Sequence, residues 1–264
     1  MRIDVLTSGI WQTNTTILAG DGAARGCVVL DPAYFPRELD AIAARAAELG
    51  GAGAVVFTHG HWDHVMGHAA LPGAPVWVSR DLAGAVAAGA PRAAAYLADA
   101  RAFDSRWYVP RPGGHRWPAD LRAVDEGALA LAGVELRALH LPGHSPDGLG
   151  LVAGGVLLPG DYLSPCEIPF VDDARAYRAT LDRLLAVLAE VGEVVPGHGP
   201  RLTAAEAIAI ARADRDYLDR LLDAAAAGDL EAALAIPLPR AADVEGMRDH
   251  HRDNCVAAGL APPT

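Results

Sequence analysis

Short apolar runs separated by turn residues dominate the first third of the chain. The runs "RIDVL", "NTTILA" and "GCVVLD" predict strands, and a helix is predicted to begin near Pro36 and to end at Gly50-Gly51. The run "AGAVVFT" has the composition of a buried strand. "PVWVS" predicts another strand, and an alanine-rich helical stretch follows from about Asp81 to Ala100. This part of the chain therefore alternates strands with helices.

The pattern is interrupted between residues 101 and 120, in "RAFDSRWYVPRPGGHRWPAD". Proline, glycine, arginine and aromatic residues occur there without the period of a helix or a strand. Loops of that length within a compact domain are usually functional or disordered. Two interpretations stay open for this segment: an ordered lid, or a surface excursion with local packing.

Strands resume with "VELRALHL", "GLGLVAG" and "GVLLPGD". A helix is predicted over roughly Asp173 to Val191, followed by a short strand in "EVVPG" and a mainly helical remainder from Thr203 onward. The order of strands, helix, strands, helix and terminal helices indicates sheets with helices packed outside them.

Composition and charge narrow the classes of function. The 264 residues are 52% hydrophobic and 21% charged, which is typical of a folded globular protein with a sizeable core. A formal net charge of −11 argues against nucleic acid as a partner. No run of 18 apolar residues and no signal-peptide pattern is visible, so we expect neither a membrane span nor export. The three cysteines are odd in number and widely spaced, which favours a reduced, cytoplasmic protein.

A cluster of potential metal ligands follows the buried run "AGAVVFT". Its members are His59, His61, Asp63 and His64, in "HGHWDH". Imidazole and carboxylate groups bind zinc and related divalent metals, and a loop at a strand end can aim several of them at one point. A helix cap would explain an aspartate alone, but not all four residues. Four ligands in six positions exceed one tetrahedral site with an open position, which suggests two metals.

The same device recurs three times further along the chain. His144 occurs in "LPGHSPDG", Asp161 in "LLPGDYLS" and His198 in "VVPGHGP". Each follows an apolar run and a glycine-containing turn. Any one of them could be an ordinary turn residue, but together they indicate ligands presented at strand ends.

The ordered pattern H-x-H-x-D-H, followed by His, Asp and His, resembles that of the metallo-β-lactamase-fold hydrolases. The seven matching positions are His59, His61, Asp63, His64, His144, Asp161 and His198. The resemblance implies an α+β fold, namely an αββα sandwich with the metals at one edge of its two sheets and a helical C-terminal extension. It also implies a catalytic domain over residues 1–202, with a lid-like insertion around 80–120. Residues 203–264 would form a helical segment packed on that domain.

The resemblance further implies two divalent metal ions, with zinc expected and iron or manganese as alternatives. The first ion would be held by His59, His61 and His144. The second would be held by Asp63, His64 and His198. Asp161 would bridge the two ions, and a metal-bridging hydroxide would attack an activated acyl bond. Asp63 and Tyr162 are the candidate catalytic residues, with simple packing as the alternative for Tyr162.

Departures from relatives narrow the expected substrate. Penicillin-cleaving relatives of the best-known zinc type carry cysteine at the second metal, where this chain has Asp161, and this argues against a β-lactamase. The motif "THGHWDH" resembles that of glyoxalase II, which often has a tryptophan at the position of Trp62. In contrast, Met66 replaces a glycine of the glyoxalase II motif. We therefore expect a small-molecule acyl substrate, either a thioester or a lactone, and leave the acyl group, leaving group and oligomeric state open. The alternative is a persulfide dioxygenase-like oxidoreductase with a single iron, held by the equivalents of His59, His144 and Asp161.

Overall fold

The first sheet of the protein begins with antiparallel strands and continues with parallel ones. The computed structural model describes residues 1–21 and 26–260. The strands of this sheet are β1 (Arg2–Thr7), β2 (Asn14–Ala19), β3 (Cys27–Leu30), β4 (Ala52–Val56), β5 (Val76–Ser79) and β6 (Leu121–Val124). They lie side by side in chain order. β1, β2 and β3 pair antiparallel, whereas β3 to β6 are parallel. Parallel neighbours need crossover connections, so helical segments separate these strands along the chain.

The second sheet is also six-stranded. Its strands are β7 (Gly127–Leu131), β8 (Val134–His140), β9 (Leu149–Ala153), β10 (Val156–Leu158), β11 (Glu193–Val194) and β12 (Leu202–Thr203). Their order in the sheet is β12-β11-β10-β9-β8-β7. β7, β8 and β9 form an antiparallel meander, and β10 and β11 are parallel.

Recognisable end signals bound several of the helices. The helices are α1 (Pro36–Glu48), α2 (Trp62–Val65), α3 (Arg80–Ala87), α4 (Pro91–Trp107), α5 (Ala174–Leu188), α6 (Ala204–Ala227), α7 (Leu230–Leu234) and α8 (Met247–Ala257). The Asp173 carboxylate accepts two backbone N–H groups at the start of α5, and Thr203 caps α6 together with Glu206. Gly228, with φ of 68°, ends α6. None of the helices in the described ranges has the length and apolarity that crossing a membrane would require.

The chain divides into two compact units, each with its own buried side chains. The first comprises Met1–His140 and Leu149–Gly154, and the second comprises Leu141–Gly148 and Gly155–Thr264. In the first unit, Ile17, Val29 and Val55 of the sheet share a core with Ile42 of α1. In the second unit, α5 packs against α6. The fully buried leucines of these two helices are Leu181, Leu184, Leu188, Leu218 and Leu221.

Two sequence predictions about element boundaries are wrong. α4 continues to Trp107, beyond the predicted end near Ala100. Its buried positions at Tyr96, Ala100 and Asp104 keep the helical period, but the last one is an aspartate, which a hydrophobic pattern does not count. Strands β6 and β7 precede "VELRALHL", where strands were expected to resume. Both lie at sheet edges and are partly exposed. Val124 is the only β-branched residue in the two strands, so their β-propensity is weak.

A buried ion pair fixes the irregular segment 108–120 to the first unit. We call Tyr34, Asp104, Arg111 and His115 the Asp104 cluster. The Asp104 carboxylate accepts hydrogen bonds from the Tyr34 hydroxyl at 2.7 Å and from Arg111 Nε at 2.8 Å, and His115 Nε2 lies 2.8 Å from it. The Arg111 guanidinium also stacks on the Tyr34 ring, 4.2 Å from its centroid. Whether the segment acts as a lid stays a prediction, but it is tethered at two points.

Candidate metal centre

The histidine cluster begins where the extended chain after β4 ends. Phe57 N–H still donates to the Trp77 carbonyl at 3.0 Å, and Leu149 N–H donates to the Thr58 carbonyl at 2.7 Å. His59 therefore directly follows a backbone segment that is hydrogen-bonded to a neighbouring segment on each side. The short helix α2 starts at Trp62 and contains Asp63 and His64, whose side chains are both buried.

Asp31, at the end of β3, fixes the ring orientation of His59 through Thr58. The Asp31 carboxylate accepts the Thr58 N–H at 2.8 Å and the Thr58 hydroxyl at 2.6 Å. Because that hydroxyl proton is committed to Asp31, the Thr58 oxygen can only accept from His59 Nδ1, which lies 3.1 Å away. The proton of neutral His59 is therefore on Nδ1, and the lone pair of Nε2 is left for a metal.

His64 is oriented by the same carboxylate. Its Nδ1 lies 3.1 Å from Asp31 Oδ2, and its side chain is fully buried. When Nδ1 donates its proton to this carboxylate, the lone pair of the neutral ring is on Nε2. That nitrogen lies 3.2 Å from Asp63 Oδ2, which in turn lies 3.0 Å from the Thr13 hydroxyl. Within the first unit, His64 and Asp63 thus present neighbouring ligand atoms.

His59 and His61 face each other closely. His59 Nε2 lies 3.0 Å from His61 Nδ1, and the two rings meet edge-on. Two nitrogen ligands of one tetrahedral zinc ion would lie roughly 3.3 Å apart, given Zn–N distances of about 2.0–2.1 Å. The observed approach is therefore close to the spacing of two ligands of a single ion.

Trp62, inside the motif, packs in an aromatic cluster. Its ring lies 5.0 Å from that of Tyr34, 4.7 Å from Phe103 and 5.1 Å from Trp11, measured between centroids. Offset and edge contacts of this kind stabilise a packed arrangement beyond the area they bury. Trp62 therefore anchors α2, and with it the adjacent Asp63, to the aromatic side chains of the first unit.

In the second unit, His144 is held at its ring and at its backbone. Its Nδ1 lies 2.9 Å from the Phe170 carbonyl, which can only accept, so the ring proton is on Nδ1. Its backbone N–H donates to the Tyr162 hydroxyl at 3.0 Å. The preceding Gly143 has φ of 128°, and a Cβ there would lie 2.2 Å from Tyr177 N. The turn that carries His144 is thus packed directly on α5.

Asp161 lies between two imidazoles. Its Oδ2 is 3.3 Å from His144 Nε2 and 3.2 Å from His198 Nε2, and all three side chains are buried. Burial alone would lower the pKa of His144, but the Asp161 carboxylate outweighs it, so the pKa of His144 is raised. A carboxylate that attracts a proton to this point also attracts a metal cation.

The approach of the His198 turn to Asp161 requires a glycine at position 197. A Cβ on Gly197 would lie 2.1 Å from Asp161 Oδ1. Gly197 N–H also donates to the Gly160 carbonyl at 2.7 Å, so the two turns are hydrogen-bonded at this position. The "PG" dipeptides of the sequence pattern are thus explained by close backbone packing as well as by turn formation.

The seven candidate ligands form two groups that could each hold a metal ion. The first group is His59, His61, His144 and Asp161, and the second is Asp63, His64 and His198. Except for His61, which is partly exposed, these side chains are buried. Buried imidazole and carboxylate donors with oriented tautomers fit a dinuclear site for divalent metals, and they leave the identity of the metal open.

The comparison with known families agrees with this arrangement. The family model described as "Metallo-beta-lactamase superfamily" matches residues 8–198. The chain belongs to the metallo-beta-lactamase superfamily. The predicted fold class is confirmed, because two sheets flanked by helices are followed by a helical C-terminal part, as in the αββα sandwich of this superfamily.

Solved structures of other superfamily members are similar to this chain. TTHA1623 in a di-iron-bound form is 29% identical, with a TM-score of 0.56 over 77% of this chain and 96% of that one. The family protein TTHA1429 from Thermus thermophilus is 22% identical, with a TM-score of 0.67 over 97% and 91%. ETHE1 from Myxococcus xanthus is 18% identical, with a TM-score of 0.60 over 95% and 99%. No curated protein matches the sequence.

Outside the seven candidate ligands of this superfamily member, other histidine and cysteine side chains have ordinary surroundings. His68 Nδ1 lies 3.0 Å from the Val65 carbonyl, and burial lowers the pKa of His68. His115 belongs to the Asp104 cluster. Burial raises the pKa of the Cys166 thiol, which disfavours the reactive thiolate.

Asp31 is the residue that sequence reasoning missed. It ends the apolar run "GCVVLD", so it shows the same signal that identified Asp161, an acidic side chain directly after a buried strand. The role of Asp31 depends on contacts with Thr58 and His64, which are far from it in sequence.

Proposed function

We propose that this protein is a metal-dependent hydrolase that cleaves an activated acyl bond, either a thioester or a lactone. Two groups of candidate ligands, with buried and oriented imidazoles, are the observation that carries the proposal. Membership of the metallo-beta-lactamase superfamily supports it independently.

The seven proposed ligands would be divided between two ions. His59, His61 and His144 would hold one ion, and Asp63, His64 and His198 the other. Asp161, with one oxygen near two imidazoles, would bridge them. The hydrogen bonds to Nδ1 of His59, His64 and His144 support this assignment, because they leave each Nε2 lone pair available.

The bound ions would supply Lewis acidity and a water activated near neutral pH. The protein's own contribution is orientation and proton handling. Thr13 positions the Asp63 carboxylate, and we propose that Asp63 accepts the proton released when the acyl carbon is attacked. Because water can be the nucleophile, neither Cys166 nor a serine has to form a covalent intermediate.

The choice of substrate and metal rests on particular residues. Asp161 stands where penicillin-cleaving relatives of the best-known zinc type have cysteine, so a β-lactam is not the proposed substrate. We propose zinc as the metal, with iron or manganese as the alternatives. The di-iron form of TTHA1623, 29% identical to this chain, keeps iron in consideration. The three free cysteines are compatible with the proposed cytoplasmic location.

A second candidate is an oxidoreductase with one iron, of the persulfide dioxygenase type. The group that contains His59, His144 and Asp161 favours it, because these three residues alone could hold a single ion. The two candidates differ in metal stoichiometry and in the consumption of oxygen.

One experiment tests both candidates. Protein purified without added metal is assayed for metal content and then for hydrolysis of a panel of thioesters, lactones and a chromogenic β-lactam. We expect two ions per chain and hydrolysis of a thioester or a lactone. Replacing Asp63 by Ala should lower kcat/KM by about 10²–10⁴-fold, the usual range for loss of a general base.

The matched control is Asp40→Ala, which removes an exposed carboxylate from α1. It should keep full activity. A wild-type protein that holds two ions and hydrolyses nothing in the panel would contradict the proposal, as would full activity of Asp63→Ala. One iron per chain, with oxygen consumed in the presence of a persulfide, would favour the second candidate instead.

A further inference from the structure

Tyr162 follows Asp161 directly and has a buried hydroxyl. The side chain is 2% exposed, and its ring packs against that of Tyr177 at 4.4 Å between centroids. A buried hydroxyl of this kind is held by the protein and is poorly placed to donate to a substrate.

The Tyr162 hydroxyl is committed to the turn that carries His144. It accepts the His144 backbone N–H at 3.0 Å and donates its single proton to the Pro142 carbonyl at 2.7 Å. The Leu141 carbonyl lies 3.2 Å away. The Tyr162 side chain thus holds the backbone on both sides of Gly143. Gly143 has a positive φ and no side chain of its own that could pack there.

Helix α5 completes the same arrangement from the other side. The Thr180 hydroxyl also donates to the Pro142 carbonyl, at 2.7 Å, so this oxygen receives two hydrogen bonds. The Gly143 carbonyl accepts the N–H groups of Asp172 and Asp173 at 2.9 Å and 3.0 Å. The backbone carbonyls of Pro142 and Gly143 therefore both accept hydrogen bonds from residues that are remote in sequence.

These contacts determine the spacing between two candidate ligands. The backbone of Tyr162 adjoins Asp161, whereas its hydroxyl holds the backbone of His144. The distance of 3.3 Å from His144 Nε2 to Asp161 Oδ2 depends on both attachments. We propose that Tyr162 is a positioning residue of the metal centre, which fixes His144 relative to Asp161 without contacting the substrate. This inference rests on the proposed function.

The test compares metal affinity in Tyr162→Phe and wild type. Partners of metal ligands typically contribute 10–100-fold to metal affinity. We expect one of the two ions to bind about tenfold more weakly in the variant, measured by competition with a chromogenic chelator. The absorption spectrum of the cobalt-substituted protein should change, because the geometry at His144 relaxes. In assays with the metal-loaded enzyme, kcat should fall while KM stays unchanged.

Tyr177→Phe is the matched control. It removes the hydroxyl of an equally buried tyrosine that makes no described hydrogen bond to the His144 turn, so metal affinity should stay within about twofold of wild type. Thr180→Val removes only the second donor to the Pro142 carbonyl and should weaken metal binding in the same direction, by less. This variant keeps the test informative if Tyr162→Phe does not fold.

Three results would overturn the inference. The first is a Tyr162→Phe protein that loses stability but keeps wild-type metal affinity and cobalt spectrum. The second is unchanged metal affinity together with the loss of a basic limb in the pH profile of kcat, which would make Tyr162 a proton donor to substrate. The third is an equal effect of Tyr177→Phe. Metal affinity is measured without turnover, so a failure of the hydrolase proposal would be seen separately.

Discussion

Asp31 is a buried carboxylate that serves two candidate ligands at once. Through Thr58 it orients His59, and directly it orients His64. Its left-handed backbone, with φ of 47°, holds it at the end of β3, where its carboxylate accepts the Thr58 backbone N–H. Losing the charge would therefore affect both groups of ligands.

Replacing Asp31 by Asn should weaken metal binding by about 10–100-fold, because both imidazoles lose the acceptor that fixes their tautomer. Bound metal is measured after dialysis against graded concentrations of chelator. Asp40→Asn, an exposed substitution on α1, is the control and should behave as wild type. Wild-type metal retention by Asp31→Asn would show that the histidine tautomers do not depend on this carboxylate.

At the scale of elements, the Asp104 cluster joins the end of α4 to the irregular segment after it. Burial opposes ionisation of Asp104, but Arg111, Tyr34 and His115 outweigh it, so its pKa lies below the usual value of 3.8. A lowered pKa means that the folded state binds the Asp104 proton less tightly than the unfolded state does. Its contribution to stability is thus present above about pH 4 and is lost as the pH falls through the folded-state pKa.

Asp104→Asn should lower the free energy of unfolding by about 3 kcal/mol at pH 7, since it leaves Arg111 buried without its partner. Urea unfolding of variant and wild type at pH 7, and at the lowest pH where both stay folded, measures the effect. The difference should shrink at the lower pH. Asp99→Asn, exposed on the same helix, is the control. A difference that does not change with pH would contradict the sign derived above.

At the scale of the whole molecule, the proposed ions would act as ligands of the folded state. They would neutralise the buried carboxylates Asp63 and Asp161, in a chain whose formal net charge is −11. A ligand at about 100 times its Kd stabilises the folded state by about 2.7 kcal/mol. For a chain of this size, that corresponds to a shift of roughly 5–10 °C in Tm.

Removing the metals with a chelator should therefore lower Tm by roughly that amount and leave the secondary structure intact below the transition. Differential scanning calorimetry and circular dichroism make the two measurements. The control is the same chelator saturated with zinc beforehand, which should leave Tm unchanged. Metal-free protein with the Tm of the loaded protein would mean that the ions do not bind to buried groups.

Features that a local sequence pattern marks were predicted from the sequence, whereas features that depend on contacts between distant residues were not. The ligand candidates were visible because their residue types are rare and each follows an apolar run that ends in a turn. The fold class followed from the order of elements and from the family resemblance. Strands β6 and β7 were missed because packing, and not propensity, makes them strands. Asp31 and the contacts of the Tyr162 hydroxyl were missed because their partners are distant in sequence.

The contact at Gly197 has a consequence for the evolution of this protein. A Cβ there would overlap the Asp161 carboxylate at 2.1 Å, so any other amino acid would displace a candidate ligand. Position 197 has no functional group, yet natural selection would act on it as strictly as on the histidines. The preservation of this metal centre through evolution therefore depends on the absence of a side chain at position 197.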